Sequence, residues 1–218
     1  MRWSAAFRKA AGLVRGAFAD TVKDCPGCGQ ELKGLPPAAE ICRGCADLLA
    51  DGISCYRLPM PEGPGIPTGL YAVCAAPDAK VGGLASRLMA SGKASMRVLA
   101  TAYAHAVPLG EYMLTDSTYI SREDNGGTGG PSRAFARAVA SAFATEYGGP
   151  VRKQPPGWQE GSLARFSQGA AQRKARTSCP VVVMDESDSG ELPCIAALLA
   201  RAGAERIVAV MAPMRRER

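Results

Sequence analysis

Residues 181–192 read "VVVMDESDSGEL", an apolar run that stops at two acids and a serine-containing loop. Four apolar residues in a row are typical of a strand that is covered on both faces. After the loop, "PCIAALLARAG" (193–203) predicts a helix and "ERIVAVMAP" (205–213) a second strand. Strand, helix and strand in this order predict a parallel crossover, and therefore an α/β fold built on a parallel sheet.

The two acids that end the run are Asp185 and Glu186. In an open parallel sheet, ligands bind beyond the carboxyl ends of the strands. There the loop's N–H groups and the next helix N-terminus can cradle an anion, while the acids hold ribose hydroxyls or a magnesium ion. A plain strand-to-helix turn also favours acids at this position. This stretch alone leaves both interpretations open.

The sequence before this stretch continues the α/β pattern. "LYAVCAA" (70–76) and "EYMLTDSTYIS" (111–121) predict strands, and residues 82–107 predict two helices that break near Gly92. A further helix follows a glycine-rich loop, and Gly148–Gly149 is expected to end it. Its apolar face repeats every four residues, at Phe135, Val139, Phe143 and Tyr147.

The cysteine spacing predicts a metal site. "CPGC" supplies Cys25 and Cys28, and "CRGC" supplies Cys42 and Cys45. Two C-x2-C turns at this separation are typical of a zinc ribbon, in which four thiolates hold Zn2+ and leave no position open for chemistry. We therefore expect a structural zinc ion, because the stretch has too few apolar residues to fold alone.

Three segments are expected. Residues 1–20 form an amphipathic helix, with apolar residues on one face; residues 21–58 form the zinc ribbon; residues 66–218 form the long α/β domain. The intervening "SCYRLPMPEGPGIPTG" (54–69) is rich in proline and glycine, and predicts a linker or irregular surface stretch.

Charge and hydropathy suggest partners and a compartment. The net charge is +6, and the basic residues concentrate in residues 1–23 and 150–178. Such segments attract nucleic acid, nucleotides or anionic lipid, or are simply a solvated face.

The N-terminal helix packs on the chain's own body, on a protein partner or on a membrane surface. No apolar stretch approaches the ~20 residues of a transmembrane helix, and charged residues interrupt any secretion signal, so a cytoplasmic protein is expected.

The order of these features resembles the ComF family of phosphoribosyltransferase-like proteins linked to bacterial competence. The resemblance covers nearly the whole chain. It is carried by the four-cysteine ribbon, by the tail "LARAGAERIVAVMAP" (199–213), and by "SQGAAQRKAR" (167–176), in which Gln168 and Arg176 keep the family's spacing. It implies a type I phosphoribosyltransferase-like domain, preceded by the ribbon.

The resemblance also implies roles for residues. In an active enzyme, Asp185 and Glu186 would orient the ribose of phosphoribosyl pyrophosphate, and Arg173 or Arg176 would contact its pyrophosphate with Mg2+. The 5-phosphate would lie among Ser187, Asp188, Ser189, Gly190 and Glu191.

The phosphate loop departs from the family's pattern. It is one residue shorter between the acids and the glycine, Asp188 replaces a threonine, and Glu191 follows the glycine. Carboxylates beside a phosphate are unfavourable unless a cation intervenes. The family's pyrophosphate loop is also replaced, by "REDNGGTGGPSRAF" (122–135). These changes favour a binding or regulatory protein that engages a nucleotide, nucleic acid or protein partner. The alternatives are an active phosphoribosyltransferase and a membrane-surface adaptor.

Overall fold

The computed structural model describes residues 23–33, 39–60, 62, 68–108, 117–120, 133–150, 179–185, 190–201 and 204–213. The helices and strands in these ranges are, in chain order, α1 (Arg43–Gly52), β1 (Ile53–Pro59), β2 (Tyr71–Pro77), α2 (Gly82–Ala90), α3 (Lys93–Ala106), β3 (Ser117–Ile120), α4 (Arg133–Ala142), β4 (Glu146–Pro150), β5 (Val181–Asp185), α5 (Leu192–Arg201) and β6 (Ile207–Ala212).

The described strands form one sheet in the order β1-β2-β6-β5-β3-β4. β1 is antiparallel to β2, and every other neighbouring pair is parallel. The predicted α/β class with a mostly parallel sheet is therefore confirmed.

β5 and β6 form the buried centre of the sheet. Every residue of both strands is buried, because each strand has neighbours on both sides and helices above and below. The predicted crossover is confirmed in its parts, since α5 lies between two strands that pair in parallel.

Helices cover both faces of the sheet. On one face α1, α2, α3 and α4 pack on the side chains of alternate strand residues, among them Val181, Val183 and Val210. On the other face α5 packs on the intervening residues, including Val182 and Met184. The period of two in a strand thus divides each central strand between two hydrophobic cores.

Gly92 separates α2 from α3, as predicted. Its backbone lies at φ 119° and ψ −177°, a region that only glycine adopts without strain. The large apolar residues that line one side of both helices are all buried, namely Leu84, Leu88, Met96, Leu99 and Tyr103. Tyr103 also donates a 2.5 Å hydrogen bond from its hydroxyl to the Met211 carbonyl of β6, which ties α3 to the sheet.

The prediction of an irregular linker from residue 54 is wrong for residues 54–59. These residues belong to β1, which pairs along its whole length with β2. Most of the strand is exposed, so it lacks the alternating apolar pattern that identifies a half-buried strand. Its hydrogen bonds to β2 hold it at the edge of the sheet, together with Ile53 and Leu58 at its two ends, which pack on the hydrophobic cores.

The prediction that the third helix runs to Gly148–Gly149 is also wrong. α4 ends at Ala142, and Tyr147 lies in β4. Ala144 adopts a left-handed φ of 53°, and Thr145 N donates a 2.8 Å hydrogen bond to the Ala140 carbonyl. This geometry is a helix-terminating turn that usually contains glycine. Because alanine occupies the position here, the sequence gives no signal that the helix ends.

Several predictions lie outside the described residues, namely the N-terminal helix 1–20 and both basic segments apart from Lys23 and Pro150. The division at residues 58 and 66 stays a prediction. Within the described ranges, no helix combines the length and apolar character that crossing a bilayer requires.

Candidate functional site

The four predicted ligand cysteines lie together. The sulfur atoms of Cys25, Cys28, Cys42 and Cys45 are all within 4.8 Å of one another, and Cys28 Sγ lies 3.5 Å from Cys42 Sγ. Three of these residues are buried and Cys28 is exposed. The geometry is compatible with a structural metal site.

A tight hairpin positions the first cysteine pair. Cys25 N donates to the Gln30 carbonyl at 2.7 Å, and Gly29 N donates to the Cys25 carbonyl at 2.8 Å. Asp24 and Glu31 form an antiparallel bridge at the base of the turn. These bonds bring Cys25 and Cys28 to the same side of the hairpin.

The second pair is set by the start of α1. Cys42 is the N-cap residue, and its sulfur accepts a 3.4 Å hydrogen bond from Cys45 N. Cys42 N in turn donates to Cys25 Sγ at 3.3 Å. Backbone N–H groups therefore point at the sulfurs, as expected where thiolates are to be stabilised.

The thiols differ in their readiness to ionise. Burial opposes ionisation of Cys25, but the backbone N–H groups of Cys42, Cys28 and Gly27 outweigh it and lower the pKa of this thiol to about 7. Burial raises the pKa of Cys42. Burial, and then the neighbouring thiols, raises the pKa of Cys45 well above its ordinary value. Several thiolates can share this small volume only if a cation offsets their repulsion.

Helix α2 lies directly against the first cysteine pair. Gly27 approaches it so closely that a Cβ at this position would lie 2.5 Å from Leu84 Cδ1 and 2.8 Å from Cys45 Sγ. The Gly27 carbonyl also accepts a 2.7 Å hydrogen bond from Arg87 Nε. Cys25, Cys42 and Cys45 belong to the same hydrophobic cluster as one face of the sheet.

A second candidate site lies at the carboxyl end of β5. Asp185 is the last residue of this central strand and is 4% exposed. It continues the alternation of Val181 and Val183, which face α3 and α4. The acid is therefore at the strand end that the sequence predicted.

The order of the strands around β3 bears on whether the position of Asp185 suits a ligand site. β3 has β4 on one side and β5 on the other, so the connections that follow β3 and β5 lead toward opposite edges of the sheet. In open α/β sheets, ligands bind beyond the carboxyl ends of the two strands at such a reversal. Asp185 is the last residue of one of these two strands.

The remaining predicted site residues are only partly described. Gly190 and Glu191 form the short turn before α5, which begins at Leu192, one residue before the predicted start at Pro193. Residues 186–189, Arg173 and Arg176 lie outside the described residues, so their contribution to a phosphate site stays a prediction.

Sequence reasoning missed Arg87. It lies in the last turn of α2, where a basic residue is ordinary. No spacing or motif connects it to a cysteine pair 60 residues earlier.

Comparison with protein-family models, curated proteins and solved structures returns no significant match. The resemblance to the ComF family therefore rests on the sequence motifs alone.

Proposed function

We propose that this chain is a diverged, ComF-like protein that binds a phosphorylated ribose ligand such as a nucleotide. A structural zinc centre would stabilise the binding domain. This phosphoribosyltransferase-like domain would act in binding or regulation rather than in turnover.

The observation that carries this proposal is the position of Asp185. A buried acid ends a central parallel strand, at the point where the strand order reverses between β3 and β5. An ionised carboxylate is purely a hydrogen-bond acceptor, so it suits the hydroxyl donors of a ribose or a bound magnesium ion. Glu186, its predicted companion, would provide the second acceptor.

The turn that follows supports binding over turnover. Glu191 lies immediately before α5, where a phosphate would otherwise profit from the helix N-terminus. With Asp188, it would repel the phosphate and weaken the grip that a transferase needs on its donor. A ligand that is held through its ribose tolerates this change better than a reaction that depends on the phosphate.

The cysteine centre has a different role. Four sulfur donors suit Zn2+, and we propose zinc as the bound ion. The ion would crosslink the hairpin and the start of α1, and would supply folding free energy rather than catalysis.

Calorimetric titration tests the ligand site. We expect a ribonucleoside 5′-monophosphate or phosphoribosyl pyrophosphate to bind the parent protein, more tightly with Mg2+. Asp185→Asn should weaken this binding at least tenfold, because hydrogen bonds to charged groups contribute about 1.5–3 kcal/mol. Asp51→Asn is the matched control, since Asp51 is exposed on α1. The proposal fails if neither ligand binds, or if both variants bind like the parent.

A pyrophosphate-release assay addresses the alternative of an active phosphoribosyltransferase, which the placement of Asp185 also favours. An active enzyme should release pyrophosphate from its donor when it is incubated with Mg2+ and a set of nucleobases. Binding without release supports the binding role, whereas Asp185-dependent release would replace it with catalysis.

A further inference from the structure

The contact between Arg87 and Gly27 joins the cysteine centre to the α/β body. Arg87 Nε donates to the Gly27 carbonyl at 2.7 Å. We propose that Arg87 is a positioning residue for the metal centre, because its N–H fixes the first cysteine pair in the orientation that faces the second. This role rests on the proposed zinc centre.

The hairpin needs such an external tie. Its own hydrogen bonds, from Cys25 N to Gln30 and from Gly29 N to Cys25, close the turn. They do not determine how the turn sits against Cys42 and Cys45. The hydrogen bond from Cys42 N does this for Cys25, and the bond from Arg87 does it for the middle of the turn. Gly27 lies between the first two ligands in sequence, so a bond to its carbonyl orients both of them.

Helix α2 is a suitable anchor for this bond. Leu84, three residues before Arg87 and hence on the same helix face, contacts the hairpin at Gly27. The turn before α2 is attached to the end of α1, since Asp78 N donates to the Gly52 carbonyl at 2.8 Å. Both cysteine pairs are thus positioned relative to the same helix.

Charge adds a smaller contribution. Four thiolates around a divalent cation retain excess negative charge, which a guanidinium favours. Arg87 is exposed as a residue, so solvent and salt screen this attraction. The hydrogen bond itself is partly buried. We therefore assign the main effect to the donor and the lesser one to the charge.

Two substitutions separate these contributions. Arg87→Gln keeps an N–H donor at the same number of bonds from Cα as Nε and removes the charge. Arg87→Met keeps a similar length and removes both. Arg97→Met is the control, because Arg97 is exposed on α3. Zinc affinity is measured on the full chain by competition with a chromophoric chelator, and the absorption bands of the Co2+-loaded protein report the geometry of the sulfur ligands.

We expect Arg87→Met to bind zinc about 10- to 100-fold more weakly, as for other residues that support metal ligands, and to shift the Co2+ bands. Arg87→Gln should retain most of the affinity, and Arg97→Met should match the parent. If the parent binds zinc and Arg87→Met binds it equally well, the role of Arg87 is overturned and the metal centre is not. A parent that binds neither ion overturns the metal centre as well. Arg87→Gln tests the proposal if Arg87→Met does not fold. A loss of zinc affinity beyond tenfold in Arg87→Gln would show that the charge contributes more than the N–H donor, and would overturn the proposal that the donor has the main effect.

Discussion

Replacing Gly27 with alanine should damage the cysteine centre because of one added methyl group. The new Cβ would lie 2.5 Å from Leu84 Cδ1 and 2.8 Å from Cys45 Sγ. Carbon atoms in good contact are separated by ~3.5–4.0 Å, so both contacts are overlaps. Leu84 can rotate its end away, but Cys45 Sγ is fixed once it holds a metal. The strain should therefore fall mainly on the metal-loaded state.

The expected cost is that of overpacking, about 1–3 kcal/mol, or roughly one to two orders of magnitude in metal affinity. Gly44→Ala is the matched control: it lies in the second cysteine pair, and a Cβ there would meet nothing within 4 Å. That change should be neutral or slightly stabilising, since alanine is the better helix former.

Guanidinium unfolding of the metal-loaded and metal-free proteins measures both effects. We expect the Gly27→Ala penalty to be larger with metal than without it. In a double-mutant cycle, Leu84→Ala should recover part of the loss, but not the part due to Cys45. The steric reasoning is refuted if Gly27→Ala and Gly44→Ala unfold alike and bind metal alike.

Three further predictions follow from other contacts. Tyr103→Phe should lower the free energy of unfolding by about 1–3 kcal/mol, because it leaves the buried Met211 carbonyl without this donor; chemical denaturation checks this, with Tyr71→Phe as a control that should change little. Gly92→Ala should cost about 1–3 kcal/mol through its backbone conformation alone, since a Cβ there meets nothing within 4 Å; a Tm equal to that of Gly82→Ala would contradict it. Zinc binding at pH 8 should release protons from at least Cys42 and Cys45, whose pKa values are raised from 9.0, so metal affinity should fall as the pH falls; calorimetry in buffers of different ionisation enthalpy counts these protons, and a count near zero would be inconsistent with both directions.

Much of this architecture could be predicted from hydrophobic pattern and spacing. β5 and β6 are continuous apolar runs because both faces are covered, and α5 begins one residue before its predicted start. The cysteine pairs were predictable because metal coordination requires a short, regular spacing. Asp185 was predictable because a charge that ends a buried strand marks its carboxyl end.

Other features depend on contacts that a local pattern does not encode. β1 is mostly exposed and ends in proline, so its place in the sheet comes mainly from pairing with β2. The end of α4 rests on an alanine in a glycine's conformation. The reversal of strand order next to Asp185 depends on how distant strands pair. The role of Arg87 depends on a contact with Gly27, 60 residues earlier in the chain.

The central place of β6 has a consequence for biosynthesis. β6 lies between β2 and β5, and Ala72 of β2 pairs with Ile207. While residues 207–212 are still inside the ribosome, a nascent chain would present two unpaired strand edges, the kind of surface that promotes aggregation. Pairing over so long a loop is also slow. We therefore expect the sheet to assemble after β6 emerges, and chains that terminate before Ile207 to depend on chaperones for solubility.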